Sequence, residues 1–348
     1  MIRCRAAHNR GAGLAVEPCA LYARGMERIV HVCNGDATAD TLSLADLPGE
    51  IRVWADALDQ GPVLPVSDEE HYRLRGERLA ARGFPDAAAR LAAWDRGVDE
   101  AAAAEELILW FEHDLFDQLA LIRLLARLAR RGLPQQLTIV SIDRHPEVPS
   151  FLGMGQLKPE QLAELWPRRT PLSRDAIDEA ITAWIAVTAA DPRALPFLTR
   201  RIKAMPFLAG ALERQLEELP DPLSGLSRTE RQLLAAVARG VASPGELMTT
   251  VQAIDPRYPI TDSLLHGTLQ TLGRCGFLEG APTAPPSEAA TALPAVQVTV
   301  TPLGRQALAG AVDRVHEAGI DDWRGGVRLL GRGPVWRWDG QQRKLIER

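Results

Sequence analysis

An uninterrupted apolar run that ends in charged side chains constrains the fold of this chain more than any other stretch. Residues 107–111 are all apolar, and Glu112, His113 and Asp114 follow them directly. Short runs of this kind, without alternation, are typical of strands that are covered on both faces of a sheet. Residues 115–131 then carry apolar side chains at helical spacing. A buried strand that leads directly into a helix predicts a β–α unit of a parallel sheet.

The helix predicted over residues 115–131 divides into an apolar and a basic face. Its apolar stripe should pack on the sheet, and a glycine at position 132 should end it. Four arginines lie off this stripe and are predicted to face solvent: Arg123, Arg127, Arg130 and Arg131.

Three further apolar runs, at residues 29–33, 51–54 and 137–142, also read as short strands, with helices between most of them. The predicted class is therefore α/β, with a mostly parallel, Rossmann-like sheet. The carboxyl ends of parallel strands lie on the edge where open α/β sheets bind ligands. Polar residues follow each predicted strand and should converge there: Asn34, Gly35 and Asp36; Asp56; Glu112, His113 and Asp114; Asp143 and His145.

Carboxylates that converge on one edge predict a site for a divalent metal, Mg²⁺ or Mn²⁺, which take oxygen ligands. The expected metal ligands are Asp36, Asp56, Glu112 and Asp114. The expected catalytic residues are His113 and Glu112, and the expected substrate contacts are Asn34, Gly35, Gln118 and His145.

Most of these residues also have a purely structural interpretation. Asp114 could cap the following helix, with Asp117 in its first turn, and Asp36 could cap another helix. Lone histidines are more often structural than catalytic. Glu112 is the hardest to explain structurally, because it follows two aromatic residues and an unpaired buried carboxylate is costly.

Composition and motifs exclude several classes. The chain has no dinucleotide-binding glycine fingerprint, no P-loop and no Gly-x-Ser-x-Gly, so neither nicotinamide nor P-loop ATP binding is supported. Its formal net charge of −5 creates no general attraction to nucleic acid or to anionic membranes. The four cysteines form no C-x-x-C pair, and no run is long and apolar enough for a transmembrane helix. We expect a cytoplasmic protein.

Five segments are predicted along the chain. Residues 1–25 resemble a disordered leader, with Met26 as the natural start, and residues 26–150 form the α/β domain that carries the site. A helical segment over residues 151–219 ends at a Pro- and Gly-containing boundary. A winged-helix-like domain at 226–312 and a β-hairpin tail at 313–348 complete the chain.

The winged-helix interpretation rests on three capped helices followed by a hairpin of residues 277–279 with 297–300, whose proline-rich loop spans 281–294. Residues 226–310 contain six arginines and six acidic residues, whereas nucleic-acid binding needs a basic face. Nucleic acid is therefore a weakly supported partner, and protein contact or a structural role is favoured. The candidate reading side chains are His266, Gln270 and Arg274.

The tail has a different charge, since residues 324–348 contain seven basic and two acidic residues, with Trp336 and Trp338 between them. These tryptophans could form a phosphate-binding or base-stacking surface, or the tail could fold back on the acidic sheet edge. The simpler interpretation is a hairpin whose tryptophans cover the core and whose arginines are solvated.

Several of these blocks resemble a bacterial family. The first set of blocks is His31–Asp36 with Leu42, Val53-Trp54 with Asp56, Leu58, Gly61 and Pro62, and Trp110–Asp114 with Asp117-Gln118. This set resembles domain of unknown function 1835. Leu226–Glu230, Asp322–Val327 and Trp336–Trp338 resemble its companion, domain of unknown function 3658. The resemblance spans most of the chain from about residue 28 to 338. It implies a bacterial cytoplasmic protein, and no activity, cofactor or catalytic residue.

Three functions fit the sequence. The leading hypothesis is a metal-assisted hydrolase or phosphoryl-transfer enzyme that acts on a small polar or phosphate-containing substrate at the acidic edge. The alternative is a regulator that senses a small molecule at this edge and contacts DNA or a partner protein through its C-terminal domain. A third is an adaptor in which the acids are only helix caps. The first two both imply a small-molecule ligand, and none implies a membrane.

Overall fold

The computed structural model describes residues 28–284 and 296–348. The predicted leader over residues 1–25, the proposed start at Met26 and residues 285–294 of the predicted loop lie outside these described residues. Across the described ranges, no helix combines the length and apolarity that are needed to cross a membrane.

A five-stranded sheet organises the first half of the chain. Its strands are β1 (Ile29–Cys33), β2 (Glu50–Val53), β3 (Glu106–Trp110), β4 (Gln136–Val140) and β5 (Thr170–Pro171). They lie in the order β2-β1-β3-β4-β5, and the first four are parallel, whereas β5 runs antiparallel to β4. The predicted mostly parallel α/β sheet is confirmed, with β3 at its centre.

Helices cover both faces of this sheet, which explains why its strands are continuously apolar. The helices of this part are α1 (Asp36–Ser43), α2 (Asp68–Ala80), α3 (Ala87–Ala101) and α4 (Leu115–Arg131). In β3, Leu107 and Leu109 point into the core beneath α3 and α4. Ile108 and Trp110 point into a smaller core on the opposite face, which α1 closes through Leu42.

The prediction that Arg123 and Arg127 face solvent is wrong. Both are buried, at 6% and 3% exposure, and both donate to the carboxylate of Asp95 on α3, at 2.9 and 2.8 Å. Arg127 also pairs with Asp68 of α2 and Asp99 of α3. The acids that pair with these arginines lie on other helices, so spacing within α4 could not reveal them. Two other arginines of α4, at positions 130 and 131, are exposed as predicted.

The middle segment is helical apart from β5 and three short 3₁₀ turns. Its α-helices are α5 (Pro159–Leu165), α6 (Arg174–Thr188), α7 (Leu195–Leu198) and α8 (Leu208–Leu216). Ser173 caps α6 by accepting a hydrogen bond from the amide of Ala176 at 3.1 Å. Both α6 and α8 pack on α4 and extend the first core.

A second core lies in the next part of the chain. The elements are α9 (Arg228–Ala238), α10 (Pro244–Ile254), α11 (Asp262–Arg274), β6 (Leu278–Glu279), β7 (Thr299–Val300) and α12 (Pro302–Leu308). The short strands β6 and β7 pair antiparallel. Leu233, Leu265 and Phe277 are fully buried in this second core, which is separate from the first.

The tail returns to the first core. It contains α13 (Arg314–Ala318), β8 (Ile320–Arg324), β9 (Val327–Gly331), β10 (Trp336–Asp339) and β11 (Lys344–Glu347), so it forms two antiparallel hairpins where one was predicted. Leu329 and Trp338 are buried among residues of the α/β part. Where the tail begins, the amide of Arg314 donates to the carbonyl of Ser224 at 2.7 Å.

Candidate functional site

The turn between β3 and α4 is fixed by its own polar side chains. Asp114 caps α4 and accepts a hydrogen bond from the amide of Asp117 at 3.0 Å. The carboxylate of Asp117 accepts in turn from the amide of Glu112. Gln118 donates to the carbonyl of Glu112 at 2.6 Å. These bonds hold three carboxyl groups at the carboxyl end of the central strand.

Glu112, Asp114 and Asp117 form a buried acidic triad. Each offers a carboxylate oxygen, and these atoms all lie within 4.8 Å of one another. The residues are 5%, 6% and 0% exposed. Glu112 Oε1 accepts from the amide of Met154, whereas Oδ1 of Asp117 is buried without a hydrogen-bond partner among the described residues. An unpartnered buried carboxylate oxygen is costly and calls for a proton or a cation.

The pKa values of the triad also indicate that its carboxyl groups need a proton or a cation. Burial and the charge of Glu112 raise the pKa of Asp114 to about 8. Burial, followed by the charges of Glu112 and Asp114, raises the pKa of Asp117 well above its usual range. Three carboxylates this close cannot all be ionised without a counter-charge. The triad can therefore hold protons, or it can hold a hard divalent cation, which prefers oxygen ligands.

His113 lies beside the triad at the wall of a cavity of about 730 Å³. Asp143, Arg144 and Arg257 line the same cavity. The imidazole packs against Phe151, with ring centres 6.4 Å apart, and its Nδ1 has no hydrogen-bond partner in the described part of the chain. Burial lowers the pKa of His113, although the charge of Asp143 opposes this. The ring is therefore neutral at pH 7 and able to accept a proton.

Two expected metal ligands, Asp36 and Asp56, lie outside the triad. Asp36 is exposed at the start of α1, next to the half-buried Asn34 and Gly35. Asp56 is buried, but Arg75 of α2 donates to it and Nε2 of His71 lies 3.8 Å away. Although burial opposes ionisation, these neighbours lower the pKa of Asp56. A carboxylate that is neutralised by a buried arginine has no need of a metal.

The two remaining expected substrate contacts, Gln118 and His145, make contacts within the protein. Gln118 is buried and supports the Glu112 carbonyl. His145 lies in a turn that pairs with Val148, and its Nδ1 accepts from the amide of Glu147 at 3.3 Å. Neither residue lines the cavity beside His113. Asp143, at the end of β4, does line it.

Sequence reasoning assigned Asp117 only to the helix start. The signal was available, since Asp114 and Asp117 are three residues apart on a helix and share a face. A second missed residue is Asp59, a buried carboxyl whose charge acts on Asp114. The hydroxyl of Tyr258 donates to Asp59 at 2.5 Å. The carbonyl of Arg257 accepts from the amide of Leu115 at 3.0 Å, so the second core reaches the first turn of α4. No sequence pattern connects these distant residues.

A comparison of the chain with models of protein families gives no match, and a search of curated proteins finds no relative.

Proposed function

We propose that this protein is a metal-assisted hydrolase or phosphoryl-transfer enzyme that acts on a small polar or phosphate-containing substrate. The observation that carries the proposal is the buried triad, in which three carboxylate oxygens lie within 4.8 Å of one another and one oxygen of Asp117 has no partner in the described chain. The triad follows the central parallel strand, at the edge where α/β sheets bind ligands.

The neighbouring groups support hydrolytic chemistry. A cation held by Glu112, Asp114 and Asp117 would polarise a phosphoryl or carbonyl oxygen. His113, held neutral by burial, can take a proton from an attacking water. The guanidinium group of Arg257, in the lining of the cavity beside it, favours an anionic substrate, whereas Arg144 donates to Asp143 of the same lining at 3.0 Å.

Cation binding is tested first, by calorimetric titration of the metal-free protein with MnCl₂ and MgCl₂. We expect one cation per chain, and a loss of at least tenfold in affinity in Glu112→Gln and in Asp117→Asn. Asp40→Asn is the control, since Asp40 is exposed on α1. A wild-type titration that releases or absorbs no heat would refute the metal centre.

Catalysis is tested with p-nitrophenyl phosphate in the presence of Mn²⁺. We expect His113→Asn to lose at least a hundredfold in turnover while it binds Mn²⁺ as tightly as the wild type, because His113 would move a proton and not hold the cation. Equal turnover in His113→Asn and wild type would remove His113 from the mechanism. A fall in Mn²⁺ affinity would instead make it a ligand.

The second candidate, a ligand-sensing regulator or adaptor, is favoured by the order of α9, α10 and α11 before the β6–β7 pair, which supports a winged-helix interpretation. The side chains expected to read DNA are engaged within the protein: His266 contacts the carbonyl of Ala284, Gln270 donates to Thr283, and Arg274 donates to Gln270. We therefore favour a partner protein or a ligand over DNA. Salt-dependent binding of duplex DNA that is lost in Arg274→Ala would reverse this preference.

A further inference from the structure

A second cavity, of about 690 Å³, lies between α2, α11 and β8. It is separate from the cavity beside His113, and it lies where the second core and the tail meet the α/β part. Its volume falls in the range of pockets that enclose a small molecule. Arg78 and Arg82 of α2 line one side, Arg324 of β8 lines another, and Arg274 lies at the end of α11.

Three guanidinium groups of this cavity surround one carboxylate, that of Asp322. Arg324 donates to Asp322 at 2.6 Å, Arg78 lies 3.3 Å from it and Arg82 lies 3.9 Å from it. Although burial opposes ionisation, Arg324 and Arg82 lower the pKa of Asp322 to about 2. One negative charge therefore faces three positive charges.

The other acids of the lining do not supply the missing negative charge. Asp321 pairs with Arg328, and Glu230 pairs with Arg314 at 3.1 Å. Glu218 lies 3.9 Å from Arg324, but Arg214 holds it more closely, at 2.7 Å. Asp59 instead accepts a hydrogen bond from the hydroxyl of Tyr258. The cavity thus keeps an excess of positive charge around Arg78 and Arg82.

The arginines also have unused hydrogen-bonding capacity. Nε of Arg78 is buried and has no partner among the described residues. Burial lowers the pKa of Arg82 and, although the charge of Asp322 opposes this, the neighbouring Arg78 and Arg324 lower it further. A guanidinium group whose pKa is lowered in this way gains most from a bound anion.

The opposite wall belongs to α11 and offers neutral polar groups. Ser263, Thr268 and Thr271 line this side of the cavity. Hydroxyl groups that face an arginine cluster across a cavity suit the uncharged polar part of a ligand, while the arginines suit its phosphate.

We propose that this cavity binds a small phosphorylated anion, whose phosphate lies at Arg78, Arg82 and Arg324 and whose remainder contacts α11. The same ligand would touch both α2 and α11, so its binding would hold the second core against the α/β part. The proposal is independent of the acidic triad, since none of the three triad residues lines this cavity.

The test is calorimetric titration of the full chain with sodium pyrophosphate and, separately, with AMP, at low ionic strength and with EDTA, so that no cation occupies the triad. We expect saturable binding of at least one probe at one site per chain. Arg82→Gln and Arg78→Gln should each weaken it at least tenfold. A higher affinity for AMP than for pyrophosphate would show that α11 contacts the organic part of the ligand.

Arg73→Gln is the matched control. Arg73 lies on the same helix but on its exposed side, where it pairs with Glu70 and Glu77, and its replacement should leave the affinity unchanged. Thermal unfolding of each variant shows whether it is folded. Absence of saturable binding of both probes to the wild type would overturn the proposal. So would equal affinities in the wild type and in folded Arg78→Gln.

Discussion

At the scale of single residues, the carboxyl groups of the triad fix the turn before α4 and also form the site that we propose for a cation. Asp114 uses one oxygen to cap α4, and Asp117 uses one to accept from the amide of Glu112, which leaves Oδ1 of Asp117 without a partner in the described chain. Helix capping and cation binding are therefore not alternatives here. The turn that caps α4 also places three carboxyl groups that could hold a cation.

The first prediction concerns pH. The pKa of Asp114 is about 8 in the folded protein and about 3.9 in an unfolded chain. Between these values the folded state binds the additional proton, so the free energy of unfolding should fall as pH rises from about 4 to about 8. Urea denaturation at pH 5, 6.5 and 8, in EDTA, measures this slope. Asp114→Asn should be less steep, and an unchanged slope would contradict the assignment.

The second prediction concerns competition between protons and a cation. Because a metal ion binds the ionised carboxylates, it must displace the protons of Asp114 and Asp117. Mn²⁺ should therefore raise the midpoint of thermal unfolding more at pH 8 than at pH 5. An equal rise at both values would place the cation elsewhere, and Asp117→Asn should abolish the rise at pH 8.

The sequence predicted part of this site. Glu112, His113 and Asp114 follow the central strand as expected, because strand direction alone brings them to the ligand-binding edge. Asp56 lies outside the triad and pairs with Arg75, which comes from a helix whose orientation no local pattern reveals. Asp59 pairs with Tyr258, almost two hundred residues away, and no local pattern reveals this contact either.

At the scale of elements, a buried charge network joins α3 to α4. Asp95 of α3 accepts from the indole of Trp54 and the hydroxyl of Tyr72, both at 2.9 Å, in addition to Arg123 and Arg127 of α4. The periodicity of apolar residues predicts the type and the bounds of a helix such as α4, which spans the predicted residues 115–131. Which polar residues are buried depends on how helices pack, and the apolar pattern carries no information on this.

The third prediction tests this network. Asp95→Asn removes the charge that the buried Arg123 and Arg127 face, and should lower the free energy of unfolding by about 3 kcal/mol, as for other broken buried ion pairs. Arg127 remains paired with Asp99 in this variant, which limits the loss of stability. Arg130→Gln, at an exposed pair of the same helix, should cost at most about 1 kcal/mol. Urea denaturation that gave equal losses for both would show that the network contributes nothing beyond a surface pair.

At the scale of the whole molecule, the apolar cores divide the chain unevenly. The first core and the smaller core on the other face of the sheet contain the sheet, the middle segment and the tail, whereas the second core contains residues between positions 226 and 308. The sequence predicted the boundary near residue 225 from its prolines and glycine. It left open whether the tryptophans of the tail cover the core or the tail folds back on the acidic sheet edge, because apolar residues in a strand do not specify which core they join. Trp338 is buried in the first core.

The fourth prediction follows from the position of the tail. Trp338 is buried in the first core, so Trp338→Ala should lower the free energy of unfolding of the α/β part by about 3–5 kcal/mol. Leu330→Ala, in the same tail but exposed, should change it by at most about 0.5 kcal/mol. Chemical denaturation followed by far-ultraviolet circular dichroism measures both. A Trp338→Ala variant as stable as Leu330→Ala would mean that the tail does not stabilise the first core.

The hydrogen bond between Ser224 and Arg314 gives the second core the character of a guest inserted into a host fold. The two ends of the guest, residues 225–313, meet at this bond, as the ends of an inserted domain do. The guest is nevertheless tied to the host: Tyr258 is buried in the first core, Asp255 accepts from the buried Arg214 of α8 at 2.7 Å, and the Arg257 carbonyl accepts from the first amide of α4. A guest that reaches the start of α4 in this way can change the acidic centre without contributing a ligand to it.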